Sequence, residues 1–179
     1  MGLNFENLVA ETRAFMLEEI EMDAAEEKLY ISAYLTQQAQ GNWPDYLRDA
    51  ARNGSDDGLA SQLRSTTSLT ATTMRRTKSG FTQVKVPHNA AEVLAESEFN
   101  RFYVRGLSRR AIANGIPRLE VYRAKQVAQP RPESERLIGL LVDPEVLLID
   151  VRGSVGVETA LGIPPGPGSG ISVRIPRGT

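Results

Sequence analysis

At 179 residues, with 41% apolar and 24% charged side chains, the chain has the length of one ordinary domain and enough apolar material for a core, which excludes wholesale disorder. It has no cysteine, hence no disulfide framework, zinc–thiolate cluster or thiol nucleophile, and no run near the ~18 apolar residues of a membrane helix. The net charge of −1 conceals an asymmetry: residues 1–64 hold 12 acids and 5 bases, a net of −7, whereas the remainder nets +6. Such a dipole suits head-to-tail contact between copies, or a basic face for a polyanion.

Residues 4–40 read as helix, because Leu8, Phe15, Met22 and Leu29 recur seven apart with Val9, Met16, Ile20 and Leu35 on the same side. Asp23 and Glu26 have the spacing of a capping box, so a break near Met22 is expected. The residues Asn42-Trp43-Pro44 open a short helix with Pro44 in its first turn, and Gly54 closes it. One or two more turns are expected over 56–64. The Ser/Thr-rich stretch 65–80 lacks helical period and reads as an extended linker, followed by a short alternating strand over 81–86.

The clearest helix spans 90–114, with Asn89 as cap, Glu92 three residues later and Gly115 at its end. Ala95, Phe99, Phe102, Tyr103, Gly106 and Leu107 form one face, and Arg101, Arg105 and Arg109 form another, joined by Arg110. Leu119–Ala124 alternates as a half-buried strand, and 136–142 is a second strand candidate. Asp143-Pro144-Glu145 admits a hairpin turn or a helix over 144–152; the cap-then-proline order and Gly153 favour the helix. After Gly162 the chain is rich in proline and glycine, but Ile171, Val173 and Ile175 alternate. They can join a sheet as an edge strand, the chain's own or a neighbour's, and we expect an assembly arm that reaches a neighbouring subunit. The expected class is α+β: an acidic helical region over 1–64, an extended linker or arm over 65–87, a basic core over 88–162 whose long helix packs on a small β-sheet, and a Gly/Pro-rich arm over 163–179.

Catalytic signatures are weak. The single histidine, His88, sits at a helix start, and no Gly-x-Ser-x-Gly elbow supplies a nucleophile for it. Gly166–Gly170 lacks the spacing and the Lys-Ser/Thr of a phosphate loop. The carboxylates of 18–27 have no histidines with which to build a di-metal site. Asp143, Glu145 and Asp150 beside Lys125 miss the nuclease pattern, because Arg123 occupies the position of the required acid. No cofactor and no enzymatic activity is expected.

The strongest signal is arginine. Residues 99–136 carry nine bases against three acids, and the chain has 17 Arg to 4 Lys. The planar guanidinium suits bidentate pairing with carboxylate or phosphate. Arg101, Arg105, Arg109, Arg110, Arg118, Arg123 and Lys125 are therefore candidates for an interface or a polyanion site. They would meet carboxylates of the N-terminal part or of a neighbouring subunit, with DNA or RNA as the alternative.

The segment Glu98–Ile112, with Val121–Lys125, Pro130–Ser134 and Leu161–Gly170, resembles uncharacterised proteins of bacteriophages and prophages over residues 96–175. That resemblance implies a virion-associated structural protein of a head or tail, a homo-oligomer or one bound to other virion proteins. It would be found in the virion or in the cytoplasm of a bacterial host. It supplies no site residues.

Overall fold

The computed structural model describes residues 2–78, 80–166 and 168–177. The α+β class is as expected. In chain order the elements are α1 (Ala10–Ala25), α2 (Gln37–Asn53), α3 (Asp56–Ser65), β1 (Thr72–Thr77), β2 (Gly80–Lys85), α4 (Ala90–Ala113), β3 (Leu119–Arg123), α5 (Pro132–Glu135), β4 (Leu141–Val142), α6 (Pro144–Gly153) and β5 (Ile171–Arg174). Among the described residues two antiparallel sheets form, the ribbon β1-β2 and a three-stranded sheet in the order β4-β3-β5. Among the described residues no helix is long and apolar enough to cross a membrane.

The first helix is shorter than the stripe over 4–40 suggests. Residues 2–9 are not helical and turn at Glu6–Asn7, with the Asn4 amide donating to the Ala124 carbonyl at 2.8 Å. The break falls after Ala25, not at Met22, and Asp23 is no cap. Glu27 adopts a left-handed φ of 55°. There its amide donates to the Ala24 carbonyl, while that of Lys28 reaches back to Asp23 at 2.8 Å. This is the doubly bonded helix end that glycine usually supplies, here built on a glutamate. The second helix starts at Thr36, whose side chain caps the Ala39 amide, so Pro44 lies inside α2 and not in its first turn.

The long helix α4 organises everything else: α1, α3, α6 and β5 all pack on it. Its C-terminus follows the expected signal, with Gly115 at φ 66° and the Ile116 amide bonded to the Ala111 carbonyl. Asn89 flanks its start but makes no side-chain cap. Every residue from Glu98 to Ser108 is buried, so Arg101 and Arg105 lie inside the protein with the apolar face, while Arg109 and Arg110 are partly buried. A helix enclosed on all sides must satisfy its polar side chains internally. Asn100 does so by donating to the Ile171 carbonyl at 2.9 Å and accepting from the Ser172 hydroxyl at 2.6 Å.

Three stretches differ from the sequence expectation. The supposed linker 65–80 contains a strand, because its β-branched run Thr72–Thr77 pairs residue for residue with β2. The strand expected over 136–142 is confined to Leu141–Val142, preceded by turns. The C-terminal stretch is not an arm to a neighbour. β5 pairs with β3 of its own chain, Val173 opposite Val121, and Ile171 and Val173 are fully buried while Ile175 packs at the core's margin. The helix over 144–152 forms as favoured, with Asp143 accepting from the amides of Glu145 and Val146.

Candidate functional site

The arginines singled out by the sequence do not form one surface. Arg105 is buried and donates from Nη1 and Nη2 to the two carboxylate oxygens of Asp23 at 2.6 and 2.8 Å, and from Nε to Glu19 at 2.7 Å. Arg109 meets Glu18 at 2.6 Å and stacks over the Phe15 ring, and Arg110 meets Glu11 at 2.8 Å. Glu19 also receives Arg152 of α6. Burial pushes the Glu19 carboxyl up, but hydrogen bonds and charge from Arg152 and Arg105 outweigh it and hold the group below its ordinary value. Burial likewise opposes the charge on Arg105, and Asp23 and Glu19 more than restore it.

The acidic first third and the basic helix thus neutralise each other within one chain. Arg105 and Arg101 are correspondingly unavailable as an exposed polyanion face. The remaining candidates are dispersed: Arg118 pairs with Asp143 at 2.9 Å, Arg123 with Glu135, and Lys125 with Glu96 at 2.6 Å. Asp143 caps α6, and Asp150 accepts from the amides of Ala160 and Leu161, so the acids weighed for a nuclease serve as local caps. Among the described residues no group of three or more His, Asp or Glu could hold a metal ion.

Two other places concentrate unused chemistry. The first is the ribbon β1-β2. Residues 71–86 contain Arg75, Arg76, Lys78 and Lys85 and no acid. None of these four makes an ion pair among the described residues, whereas the bases of α4 beyond Arg101 are all paired. Opposed residues of an antiparallel pair share a face. Arg76 lies opposite Phe81, Met74 opposite Gln83 and Thr72 opposite Lys85. That face therefore joins two cations to two apolar side chains, and Phe81 is 71% and Met74 60% exposed. Thr73 and Val84, on the other face, are partly buried at the ribbon's base. Both ribbon edges lack a further strand among the described residues.

The second place is a pocket of about 260 Å³ between the first half of α4, the loop after α1 and the loop after α6. Glu98 and Arg101, three residues apart on α4, line it together with Tyr30, Tyr34 and Thr159. Burial pushes the Glu98 carboxyl up to about 7, reinforced by Asp23 and opposed by Arg101 and Arg105.

No family model, curated protein or solved structure matches this chain. The chemistry of ribbon and pocket therefore rests on their own side chains. The sequence held a signal for the ribbon: alternation over 81–86 and β-branched residues over 72–77, four bases and no acid. The Ser/Thr content masked it as a linker. The pocket had no signal, because loops distant in sequence build its walls.

Proposed function

We propose that this protein is a non-enzymatic assembly component that joins copies of itself, or a neighbouring virion protein, through the β1-β2 ribbon. The observation that carries this reading is the ribbon's composition in place: four cations that make no ion pair among the described residues, and Phe81 and Met74 open to solvent. A two-stranded ribbon is at best marginally stable alone. Its exposed backbone edges offer hydrogen bonds to an added strand, and its apolar side chains gain by burial. The rest of the chain carries a net −5 against the ribbon's +4, so the body of another copy is a complementary surface. A second apolar surface, Leu141 at the open edge of the three-stranded sheet and Ile149 on the outside of α6, supports contacts on a further side. The resemblance of residues 96–175 to phage and prophage proteins supports a virion setting.

A second reading places duplex DNA on the same ribbon, favoured by the Arg76–Phe81 pair beside Lys85. A two-stranded ribbon fits the major groove, and cations beside an aromatic ring serve phosphate and base contacts.

Light scattering of the purified chain across a salt series tests the first reading. We expect an oligomer that dissociates as salt rises, and a monomer at all salts for Arg76→Glu plus Phe81→Ser. A wild-type monomer throughout removes self-assembly. Duplex binding that persists near physiological salt, and is lost in the same variant, favours the second reading.

A further inference from the structure

We infer that the pocket beside α4 is a binding site for a small aromatic monocarboxylate, with Arg101 receiving the carboxylate and Glu98 facing a hydroxyl or carboxyl oxygen of the ligand. The argument begins with unsatisfied groups. Five buried side-chain polar atoms among the described residues lack a hydrogen-bond partner, and three of them, Glu98 Oε2, Arg101 Nε and Thr159 Oγ1, belong to residues lining this one pocket. Glu98 is 5% exposed and Arg101 7%. A buried charge is costly unless paired and hydrogen-bonded.

Arg105, one turn further along the same helix, shows a satisfied buried guanidinium, with three hydrogen bonds to two carboxylates. Arg101 has one long contact, from Nη2 to the Val151 carbonyl at 3.4 Å. Glu98 is near enough to influence its charge, yet the two make no ion pair among the described residues. What Arg101 lacks, and Arg105 has, is an anion presenting two oxygens.

The rest of the pocket selects among anions. One guanidinium beside two carboxylates, Glu98 and Glu158, argues against a phosphate dianion, which takes several cations or backbone amides. A monoanion suits a single arginine. Because burial raises the Glu98 carboxyl to about 7, a large share of it is protonated near neutrality. In that form it donates a hydrogen bond to a ligand oxygen and does not repel it. Tyr30, Tyr34 and Leu94 supply apolar walls for a ring. The volume of about 260 Å³ lies below the roughly 300–1,000 Å³ typical of drug-sized ligands, which limits the body to about one ring. The wall is built closely: a Cβ on Gly156, at φ 70°, would sit 2.7 Å from the Tyr30 ring. Only glycine lets the loop after α6 close on that tyrosine.

The test uses the full chain, titrated by heteronuclear NMR with benzoate, with benzamide as the neutral isostere and with inorganic phosphate. Benzoate at millimolar concentration should shift amides around Ser97 and Thr159, with benzamide and phosphate about tenfold weaker or more. Arg101→Gln should abolish the benzoate response, and Arg101→Lys should weaken it by losing the planar fork. Thr159→Val provides an independent variant should Arg101→Gln fail to fold; it should weaken benzoate and leave the circular dichroism unchanged. No shift with benzoate, equal response to benzamide, or preference for phosphate would each overturn the assignment.

Discussion

Arg105 of α4 and Asp23 of α1 meet through two parallel hydrogen bonds, 2.6 and 2.8 Å long, in a site that solvent barely reaches. They stand 82 residues apart in the chain. The pair, with Glu19 completing it, is the buried one among several ion pairs that join the acidic first third to the basic remainder. An exposed pair would contribute little, but here each charge depends on the other for the solvation it lost.

Removing one partner should therefore cost far more than the pair contributes. Arg105→Ala is expected to destabilise the fold by about 3–5 kcal/mol, leaving Glu19 and Asp23 buried with one cation fewer. Arg105→Lys should recover little, because a single ammonium cannot present the fork that spans both carboxylates. Urea denaturation followed by circular dichroism measures both. A loss under 1 kcal/mol for the alanine variant would mean that water reaches the carboxylates.

The residue next to Arg105 makes that contact possible. A Cβ added to Gly106 would lie 2.9 Å from the backbone nitrogen of Met16 and 2.9 Å from the carbonyl oxygen of Thr12. Helix α1 thus crosses α4 at a distance that only a hydrogen fits, and Glu19 and Asp23 come within reach of Arg105. Alanine at 106 gains up to about 1 kcal/mol of helix propensity. Overpacking against backbone, which cannot rotate away, costs roughly 1–3 kcal/mol. Gly106→Ala should lower the urea midpoint; a raised midpoint would contradict the close crossing.

Much of the fold was legible where local chemistry decides it. Gly115 ended α4 and Asp143-Pro144 opened α6, because turns and caps depend on a few adjacent residues. The α1 end was hidden, since Glu27 takes a left-handed conformation without glycine's signature. Pro44 signalled a helix start and instead lies within a helix that begins at Thr36. The arginine period on α4 is legible in the sequence and its surroundings are not, since carboxylates 82 and 86 residues away set them. The possibility that N-terminal carboxylates receive these arginines was visible; that they do so inside the core was not. The ribbon's signal is masked by the Ser/Thr content of 65–80, and the pocket has none because loops distant in sequence build it.

Glu98 gives the fold a pH dependence whose sign follows from its environment. Burial raises its folded value from 4.5 to about 7; Arg101 and Arg105 on α4 oppose the shift and Asp23 on α1 adds to it. The folded state thus holds the proton more tightly than the unfolded chain. The resulting stabilisation is complete below about pH 4.5 and is lost as pH rises through about 7. Asp56, also raised by burial, acts with the same sign. Glu98→Gln, an uncharged mimic of the protonated acid, should remove the Glu98 share of the decline in thermal midpoint between those limits. An unchanged slope in this variant would show that Glu98 titrates normally.

The C-terminal strand decides between an arm and a core element. An arm would serve a neighbour and leave its own chain folded when removed. β5 instead lies against β3, with Glu120 opposite Arg174 and Arg123 opposite Ile171. Arg174 bonds both Glu120 and Glu6, and Asn7 accepts the Ile175 amide at 2.8 Å, so the strand also holds the N-terminal segment. Asn100 of α4 grips its backbone and the Ser172 hydroxyl from the other side. Ending the chain at Gly162 would leave Asn100 without partners in the interior and expose Val121. Unsatisfied buried groups and lost apolar burial act in the same direction. The truncated chain is expected to lose cooperative thermal unfolding. Ile171→Ala, a milder probe of the same site, should cost about 2–5 kcal/mol. A truncated chain that unfolds with the wild-type midpoint would return the strand to the role of a detachable arm.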